Sequence, residues 1–374
     1  MPKLFEIFGY RVDDSSQEAE SNRQAARCPF MDCDCDGGGN RYLSQIDLSD
    51  LKYSDELKDY FKGRTTVPSG VCSIQPREGQ RPWIVCPRRL LVLGRQGMGK
   101  RAHQDFAEST LLQHSDFAGG TKLGVWSEVK VRYETGAERT RKYFDYTFDY
   151  VIMATGIMKS SAIAQATGET WDKMKSRLAN AGYSFSRRNG EECVEDFPRG
   201  APLLVEIMTS STSGGNKKTR TTVPQAFEDA ILHGVEGHKA PGINYRQVWA
   251  RMVSQLIVKS EAGVKWGGKT VWILQDALAD YISSSTALDL QGFRSHQTSE
   301  VNVLSFSYGN GYLSGQKGIA ELKQGELFSG PIRPPGASSA QGFQDMIRAP
   351  VVPPKSSLIR ALATRKKVNT IVVP

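Results

Sequence analysis

The chain has 374 residues, of which 39% are hydrophobic, and it carries a net charge of +8 with an isoelectric point of about 9.1. This composition excludes wholesale disorder and allows one large domain or two ordinary ones. The excess of positive charge favours an anionic partner, either a nucleic acid or an acidic membrane surface.

The sequence shows no membrane segment and no export signal. No apolar stretch approaches membrane-spanning length, and the opening MPKLFEIFGYRVDDSS lacks the long apolar segment of a signal peptide. We therefore expect a cytoplasmic protein that does not enter a membrane.

Five of the six cysteines fall within the first 86 residues. In a reducing compartment such clustering favours a metal site over disulfides, and thiolates select zinc or iron. A closed tetrahedral site needs four ligands. The candidates are Cys28, Cys72 and Cys86, with either Cys33 or Cys35 as the fourth. The pattern predicts a small N-terminal metal-binding domain over residues 1–95, and the alternative is five ordinary free cysteines.

The stretch LLVLGRQGMGKR, residues 90–101, is similar to a phosphate-binding loop. Such a loop uses a Ser or Thr hydroxyl after the lysine to reach Mg²⁺, whereas Arg101 stands at that position. A P-loop NTPase is therefore only a remote alternative. We interpret the stretch as a glycine-rich connection between domains, in which Arg95, Lys100 and Arg101 are candidates for phosphate contacts.

Two strands are predicted next, in VWSEVKVRYE (residues 125–134) and YFDYTFDYVIM (residues 143–153). In the second strand, a period of two places four aromatic side chains on one face and both Asp145 and Asp149 on the other. Residues 170–190 are predicted to be helical.

Glu206 lies in the middle of the following apolar strand, APLLVEI. A carboxylate in an apolar strand is costly unless it is paired or binds a cation. The Ser/Thr/Gly-rich segment after this strand is predicted to be a mobile loop that carries Lys217, Lys218 and Arg220.

A helix is predicted from Asn244, and its Gln255 and Lys259 lie four residues apart on one line of that helix. A strand over residues 271–274 and a further helix follow. This order of elements predicts an α/β (α+β) domain over residues 96–330. Acids from two neighbouring strands are what a Mg²⁺ site for phosphodiester hydrolysis needs. The alternative is a surface aspartate and a structurally paired glutamate.

The C-terminal segment, residues 331–374, has seven basic residues, one acidic residue and seven prolines. Proline removes backbone donors, so this composition disfavours helix and central strand. It predicts an extended basic arm, which either contacts phosphates or is simply solvated.

Seven phrases together resemble the NotI-type type II restriction endonucleases. They are FGYRVDD, CPF at Cys28, GVC at Cys72, VCPRR at Cys86, YFDYTF around Asp145, VEIMT at Glu206 and the helix phrase WARMVSQLIVK. They cover residues 5 to about 285 and leave out the tail. The resemblance implies a homodimer in the bacterial cytoplasm that cuts both strands of double-stranded DNA with Mg²⁺, beside a cognate DNA methyltransferase. It also implies a PD-(D/E)xK nuclease, a mixed sheet flanked by helices, with a four-cysteine iron or zinc site.

Site residues follow from the resemblance position by position. The implied structural metal ligands are Cys28, Cys35, Cys72 and Cys86, with Cys35 favoured over Cys33. The implied catalytic acids are Asp145 and Glu206, with Glu128 as an additional acid. Asp149 is a weaker candidate that the resemblance does not supply, since it only shares the strand face of Asp145.

Met208 departs from the family pattern. The family's active strand reads Glu-x-Gln, and many related nucleases have Glu-x-Lys, whereas here the strand reads Glu-Ile-Met. A thioether cannot donate to a scissile phosphate. We expect the missing role to lie with Gln255 and Lys259, and as a second choice with Lys217 or Lys218. Otherwise the protein is a metal-stabilised DNA-binding protein without nuclease activity.

Overall fold

The computed structural model describes residues 1–38, 45–93, 102–113, 115–137, 141–285, 294, 299–310, 317–330 and 351–373. The strands are β1 (Lys3–Ile7), β2 (Tyr10–Arg11), β3 (Arg27–Cys28), β4 (Cys33–Asp34), β5 (Gln45–Asp47), β6 (Thr66–Pro68), β7 (Val71–Gln75), β8 (Trp83–Ile84), β9 (Lys122–Thr135), β10 (Lys142–Lys159), β11 (Phe185–Arg188), β12 (Glu191–Ile207), β13 (Lys269–Gln275), β14 (Val301–Ser307), β15 (Lys323–Gly330) and β16 (Asn369–Val372). The helices are α1 (Gln17–Gln24), α2 (Ser54–Tyr60), α3 (Pro87–Leu90), α4 (Ala102–Gln113), α5 (Ser160–Thr167), α6 (Trp171–Asn180), α7 (Val223–His233), α8 (Tyr245–Lys265), α9 (Asp276–Ser285) and α10 (Lys355–Ala363), with a 3-10 turn at Leu48–Asp50.

One large mixed sheet organises the chain. Its strand order is β15-β14-β13-β12-β10-β9-β16, and β11 pairs with the outer part of β12. The pairs β12–β13 and β13–β14 are parallel, while the others are antiparallel. Helices cover both faces, so the mixed α/β class predicted from the sequence is confirmed.

The two faces of this sheet bury different helices. One face, with Val205, Ile273 and Leu304, packs against α4 and against apolar residues of the N-terminal segment. The other face packs against α5, α6, α8 and α10 and, further along, against α9. None of the helices in the described ranges is long and apolar enough to cross a membrane.

The predicted middle strands and helices are largely confirmed. The hairpin of β9 and β10, the strand with Glu206, helix α8 and the pair β13–α9 all form where the sequence predicts them. The helix predicted over residues 170–190 is shorter, because it ends at Asn180. Gly182 follows with a φ of +81°, and the chain then turns into the strand β11.

The prediction of an extended C-terminal arm is wrong for residues 355–372. Leu358 and Leu362 bury α10 against the sheet, and β16 pairs with β9 as an edge strand. Pro354 sits at the N-cap of α10, a position where the missing N–H of proline is harmless. The prolines therefore mark the start of this helix instead of excluding it. Residues 331–350 lie outside the described ranges.

The stretch that is similar to a phosphate-binding loop lacks the strand that such a loop follows. Leu90 ends α3, and Leu91–Leu93 belong to no strand of the described structure. Leu90, Leu91 and Leu93 instead bury their side chains in the core of the large sheet. The run therefore packs between the N-terminal segment, with Phe5 and Ile84, and the large sheet. Arg95, Lys100 and Arg101 lie outside the described residues.

The N-terminal segment forms a small sheet, β2-β1-β7-β8, that docks onto the end of the large one. The backbone N–H of Ile84 donates to Gln275 Oε1 at 2.8 Å, and Gln275 Nε2 donates to the Pro82 carbonyl at 2.6 Å. The Ser210 N–H in turn donates to the Ile84 carbonyl at 2.9 Å. The segment thus covers the carboxyl ends of β12 and β13.

A buried ion pair fixes this docking. Glu6 on β1 and Arg89 on α3 have fully buried side chains, and Arg89 Nη2 lies 3.0 Å from Glu6 Oε1. The Tyr308 hydroxyl donates to Glu6 Oε2 at 2.6 Å, and the Ser73 hydroxyl donates to the same oxygen at 2.7 Å. Because Tyr308 directly follows β14, the network joins the small sheet to the large one.

Arg89→Met should destabilise the protein by about 3–5 kcal/mol, because it leaves the Glu6 carboxylate buried without its cation. Tyr308→Phe should cost about 1–3 kcal/mol, since it removes one donor to a buried charge. Urea denaturation followed by fluorescence measures both free energies of unfolding. Arg81→Met is the matched control, because Arg81 pairs with Asp276 at the surface and should contribute less than about 1 kcal/mol. An Arg89→Met variant as stable as this control would contradict the assignment.

Candidate functional site

The large sheet opens between β10 and β12 beside Asp149 and Glu206. Backbone pairing of the two strands stops at Tyr150 and Val205. Beyond that pair, the Asp149 carboxylate accepts the backbone N–H of Ile207 at 2.8 Å. A side chain thus replaces the next bond of the ladder, and two acids come to neighbouring positions on adjacent strands.

A break in the alternation of β9 lies at Glu128, which lines the same cleft. Val125 packs on one face of the sheet and Val129 on the other, although residues four apart share a face in a regular strand. Glu128 lies between them with a φ of +52°, in the left-handed region that residues other than glycine rarely adopt. Such a conformation costs about 1–3 kcal/mol and recurs at functional sites.

Strand β10 changes face at the same level. Phe148 and Ile152 pack on opposite faces, and Asp149 lies between them. The register is unaffected, because Phe148 still pairs with Val129 and Tyr150 with Ser127. Both strands therefore change face at the level of Glu128 and Asp149 without an extra residue on either strand. The carboxylates of these two residues line one cleft.

Glu206 is buried in β12 and is paired with a lysine from helix α8. Lys259 Nζ donates to Glu206 Oε2, and both side chains are almost completely buried. The ammonium group of Lys259 also lies 5.7 Å from the ring centroid of Phe148. Glu206 Oε1 has no hydrogen-bond partner among the described residues. Burial raises the pKa of Glu206 to about 8, although the Lys259 charge opposes this rise.

A cleft of about 260 Å³ lies at the opening of the sheet. Its lining includes Glu128, Asp149, Met208, Arg251 and Gln255, together with residues of the N-terminal segment. Glu206 and Lys259 do not line it; they are buried directly behind its lining residues Asp149 and Ile207. The carboxylates of Glu128 and Asp149 thus line the cleft, and the Glu206 side chain is held beneath them.

Asp145 does not lie at this site. It is half exposed and accepts ion pairs from Lys130 at 3.1 Å and from Arg132 at 3.2 Å. Four residues separate it from Asp149, which is about 13 Å along an extended strand. The expectation that Asp145 joins Glu206 is therefore wrong. Asp149, the weaker candidate from the sequence, is the acid that the structure brings to Glu206.

The loop after β12, which the sequence predicts to be mobile, is held in place by side-chain contacts. Arg220 donates to the carboxylates of Glu228 and Asp229 on α7, and both acids are buried. Arg220 therefore anchors the loop, and the expectation that it contacts DNA is not supported by its position. Lys217 and Lys218 are exposed in the adjoining turn and do not reach the cleft.

The five clustered cysteines pack together. Cys28, Cys72 and Cys86 are buried, and the half-buried Cys33 and Cys35 both lie against them, with Phe30 and Met31 in the same cluster. The Cys33 thiol is turned towards the Asp34 carbonyl at 3.2 Å, whereas Cys35 interacts electrostatically with Cys28 and Cys86. This contrast favours Cys28, Cys35, Cys72 and Cys86, the set implied by the resemblance, as the candidate ligands.

The thiols influence one another's pKa values. Burial and then the neighbouring Cys86 raise the pKa of Cys28 to about 12, and the same two causes raise the pKa of Cys35. A hydrogen bond with Cys86 raises the pKa of Cys72 and lowers that of Cys86. Backbone N–H groups of Gly9 and Gly37 point at the sulfurs of Cys72 and Cys35, at 3.3 and 3.4 Å.

The donor set suits the metals expected from the sequence. Four thiolates fit zinc or iron, and N–H groups that point at the sulfurs stabilise thiolate ligands. Within the described ranges, however, no three His, Cys, Asp or Glu side chains already stand in an arrangement that could hold a metal ion. The assignment of a metal to the cysteines therefore remains a prediction.

No protein-family model matches the chain, and no curated protein matches it either.

The purified protein should contain about one zinc or iron ion per chain, measured by elemental analysis. Single replacement of Cys28, Cys35, Cys72 or Cys86 by serine should remove most of this metal, because a tetrahedral site loses a quarter of its ligands. Cys33→Ser and Cys193→Ser are the matched controls and should keep the metal. Full metal content in all four ligand variants would show that the cysteines form an ordinary buried cluster.

Proposed function

We propose that this protein is a Mg²⁺-dependent endonuclease that cuts both strands of DNA at a specific sequence, leaving 5′-phosphate and 3′-hydroxyl ends. One observation carries the proposal. At the point where the mixed sheet opens, Glu206 is buried with Lys259, and Asp149 stands beside it on the neighbouring strand. Two acids and a lysine in this setting suit the PD-(D/E)xK nuclease fold of type II restriction endonucleases, with the lysine supplied by a helix.

The acids of the site are the groups that would hold Mg²⁺. Asp149, Glu206 and the backbone carbonyl of Ile207 are the first candidates, and Glu128 is an additional one. Carboxylate and carbonyl oxygens are the ligands that this hard cation prefers, and the unpartnered Glu206 Oε1 is such an oxygen. When bound, Mg²⁺ would offset charge on the scissile phosphate and acidify a water.

Lys259 and Gln255 supply the hydrogen-bond donors that the thioether of Met208 lacks. Met208 lines the cleft, but its thioether does not donate hydrogen bonds. Lys259 reaches Glu206 from helix α8 and takes the place of the strand lysine of related nucleases. Gln255, one turn earlier, lines the cleft and can orient a water or a phosphate oxygen. Glu128 and Asp149 are placed to accept a proton from an attacking water.

The biological setting follows from this chemistry. The charge of +8 suits a polyanionic substrate. Cutting both strands of a palindromic site is best done by two active sites related by a twofold axis, so we propose a homodimer. A cytoplasmic nuclease of this kind requires a cognate DNA methyltransferase that protects the DNA of its bacterial host.

A second candidate function is a DNA-binding protein without cleavage activity. It is favoured by the burial of Glu206 and Lys259 behind the cleft lining and by Met208 at the position of a lysine. In that case the Glu206–Lys259 pair would only stabilise the fold. The two functions can be distinguished because the nuclease would cut bound DNA when Mg²⁺ is added, whereas the DNA-binding protein would leave it intact.

Asp149→Asn and Glu206→Gln should each lower the rate of Mg²⁺-dependent DNA cleavage by about two orders of magnitude or more, because each removes a carboxylate from the proposed cation site. Binding of DNA should persist in both variants. Gel assays on long unmethylated DNA measure the rates, and the variants are compared at equal binding.

Asp145→Asn is the matched control for these two variants and, once its DNA is fully bound, should cleave at a rate close to that of the wild type. Cleavage that depends on Asp145 and tolerates Asp149→Asn would contradict the site described above, and would favour the assignment implied by the sequence resemblance.

Lys259→Met should abolish cleavage and destabilise the fold, since it leaves Glu206 buried without its partner. Adding Met208→Lys should restore part of both stability and cleavage. Met208 directly follows β12 and packs beside helix α8, so a lysine there could extend towards the Glu206 carboxylate. Unfolding by urea and cleavage assays follow the single and double variants. If stability returns while cleavage does not, pairing with Glu206 is not enough, and cleavage requires the amine at position 259 itself.

A further inference from the structure

The distal half of the β9–β10 hairpin extends beyond the rest of the large sheet. Strand β12 pairs with β10 only from Tyr150 onwards, and β16 pairs with β9 only as far as Val125. Residues 127–135 and 142–149 therefore pair with each other alone among the described strands. We refer to this two-stranded segment as the ribbon.

The two faces of the ribbon differ in character. Val129, Val131, Phe144 and Phe148 are buried and join the core beneath helices α8 and α10. The opposite face is polar and faces solvent. Since the apolar face is already covered, the ribbon offers a partner only its polar face.

Lys130, Arg132 and Asp145 form the exposed centre of the polar face. Arg132 is directly opposite Asp145 in the register, and Lys130 is the next residue of the same face. The side chains of these three residues remain 44%, 71% and 49% exposed, although both cations pair with the aspartate. Exposed ion pairs of this kind are worth at most about 1 kcal/mol. A stronger anion can therefore take over both cations at little cost.

The same face leads directly to the cleft. Residues 128, 130 and 132 of β9 share one side, and residues 145, 147 and 149 of β10 share it too. Glu128 and Asp149 stand at its inner end and line the cleft. Along the strands, Lys130 thus lies about 7 Å and Arg132 about 13 Å from the candidate acids. Phosphates of one DNA strand repeat every 3.4 Å along the duplex axis, so these distances correspond to about two and four nucleotides.

We propose that the polar face of the ribbon is a docking surface for the backbone of double-stranded DNA, with Lys130 and Arg132 contacting phosphates on one side of the cleavage position. In the free protein Asp145 holds the two cations in place and weakens their attraction for DNA. The proposal rests on the function proposed above, because it takes the occupant of the cleft to be DNA. Phosphate contacts of this kind fix the position of the duplex and do not read its sequence.

The test is a binding titration of the full-length protein with a labelled duplex of about 40 mixed-sequence base pairs, in a chelator and from about 50 to 200 mM salt. Lys130→Gln combined with Arg132→Gln should weaken binding about tenfold or more and reduce the salt slope by about two. Asp145→Asn should strengthen binding several-fold, because it frees both cations.

Helix α6 offers matched controls. Lys173 and Lys175 are exposed and paired with Glu169 and Glu192, so their double replacement by glutamine removes the same charge elsewhere. Glu192→Gln matches Asp145→Asn, since it too releases a paired lysine. Both controls should leave the affinity within about twofold of the wild type. Thermal melts confirm that all variants are folded.

An affinity of the ribbon double variant equal to that of its control overturns the proposal, and so does weaker binding by Asp145→Asn. A wild-type preference for single-stranded DNA of the same sequence overturns the duplex as occupant. If the ribbon variants behave as expected but long DNA stays intact with Mg²⁺, the docking surface stands and the nuclease function fails. If DNA is cut and the affinities do not change, only the docking surface fails.

Discussion

A carboxylate in the middle of an apolar strand has to be neutralised, and in this protein Lys259 neutralises Glu206. The pair links the central strand β12 to helix α8, so the position of that helix on the sheet is set by charge as well as by packing. Without the lysine, the glutamate would carry an uncompensated buried charge that costs several kcal/mol. With it, burial still raises the pKa of Glu206 to about 8, so the carboxylate binds a proton more readily than a solvated glutamate does.

The strands around this pair bring two further acids, Glu128 and Asp149, close to it. The regular alternation of two long strands is interrupted at Glu128 and Asp149, and the Asp149 carboxylate replaces a backbone bond to Ile207. Such irregularities in an otherwise regular sheet cost stability, and they place polar groups where a regular sheet would have none. The N-terminal segment then covers the ends of β12 and β13 and supplies one wall of the cleft.

That wall contains part of the cysteine group. Cys86 lines the cleft together with Pro87 and Arg88, so the group and the candidate site share a boundary. A metal held by the four thiols would stiffen this wall, because it would tie β3, β7 and the start of α3 together. The cysteines thus contribute to the site through the shape of the cleft.

The sequence allowed much of the sheet to be predicted, because alternation in β9 and β10 and apolar runs in β12 and β13 are local signals. Glu206 stood out because a charge in an apolar strand is costly, and Lys259 because it shares a helical line with Gln255. The choice between Asp145 and Asp149 was beyond local reasoning. The two aspartates are four residues apart in β10, so the alternation of the strand does not distinguish them. Only the pairing of β10 with β12 decides which of them lies beside Glu206.

The C-terminal segment shows a second limit of composition. Its prolines and basic residues suggested an extended arm, yet Leu358, Ile359 and Leu362 have helical spacing and are buried. That apolar spacing was visible in the sequence, but its partner, the outer face of β9, lies more than two hundred residues away in the chain. Burial against a distant strand outweighed the local propensity.

Digestion of a large unmethylated phage genome by the purified wild-type protein tests the central claim most directly. One sample contains Mg²⁺ and the other a chelator, and both are resolved on a gel. The account predicts discrete fragments with Mg²⁺ only, whose sequenced ends share one site. DNA that remains intact with Mg²⁺, although the protein binds it in a salt-dependent manner, would contradict the claim and leave the Glu206–Lys259 pair with a structural role.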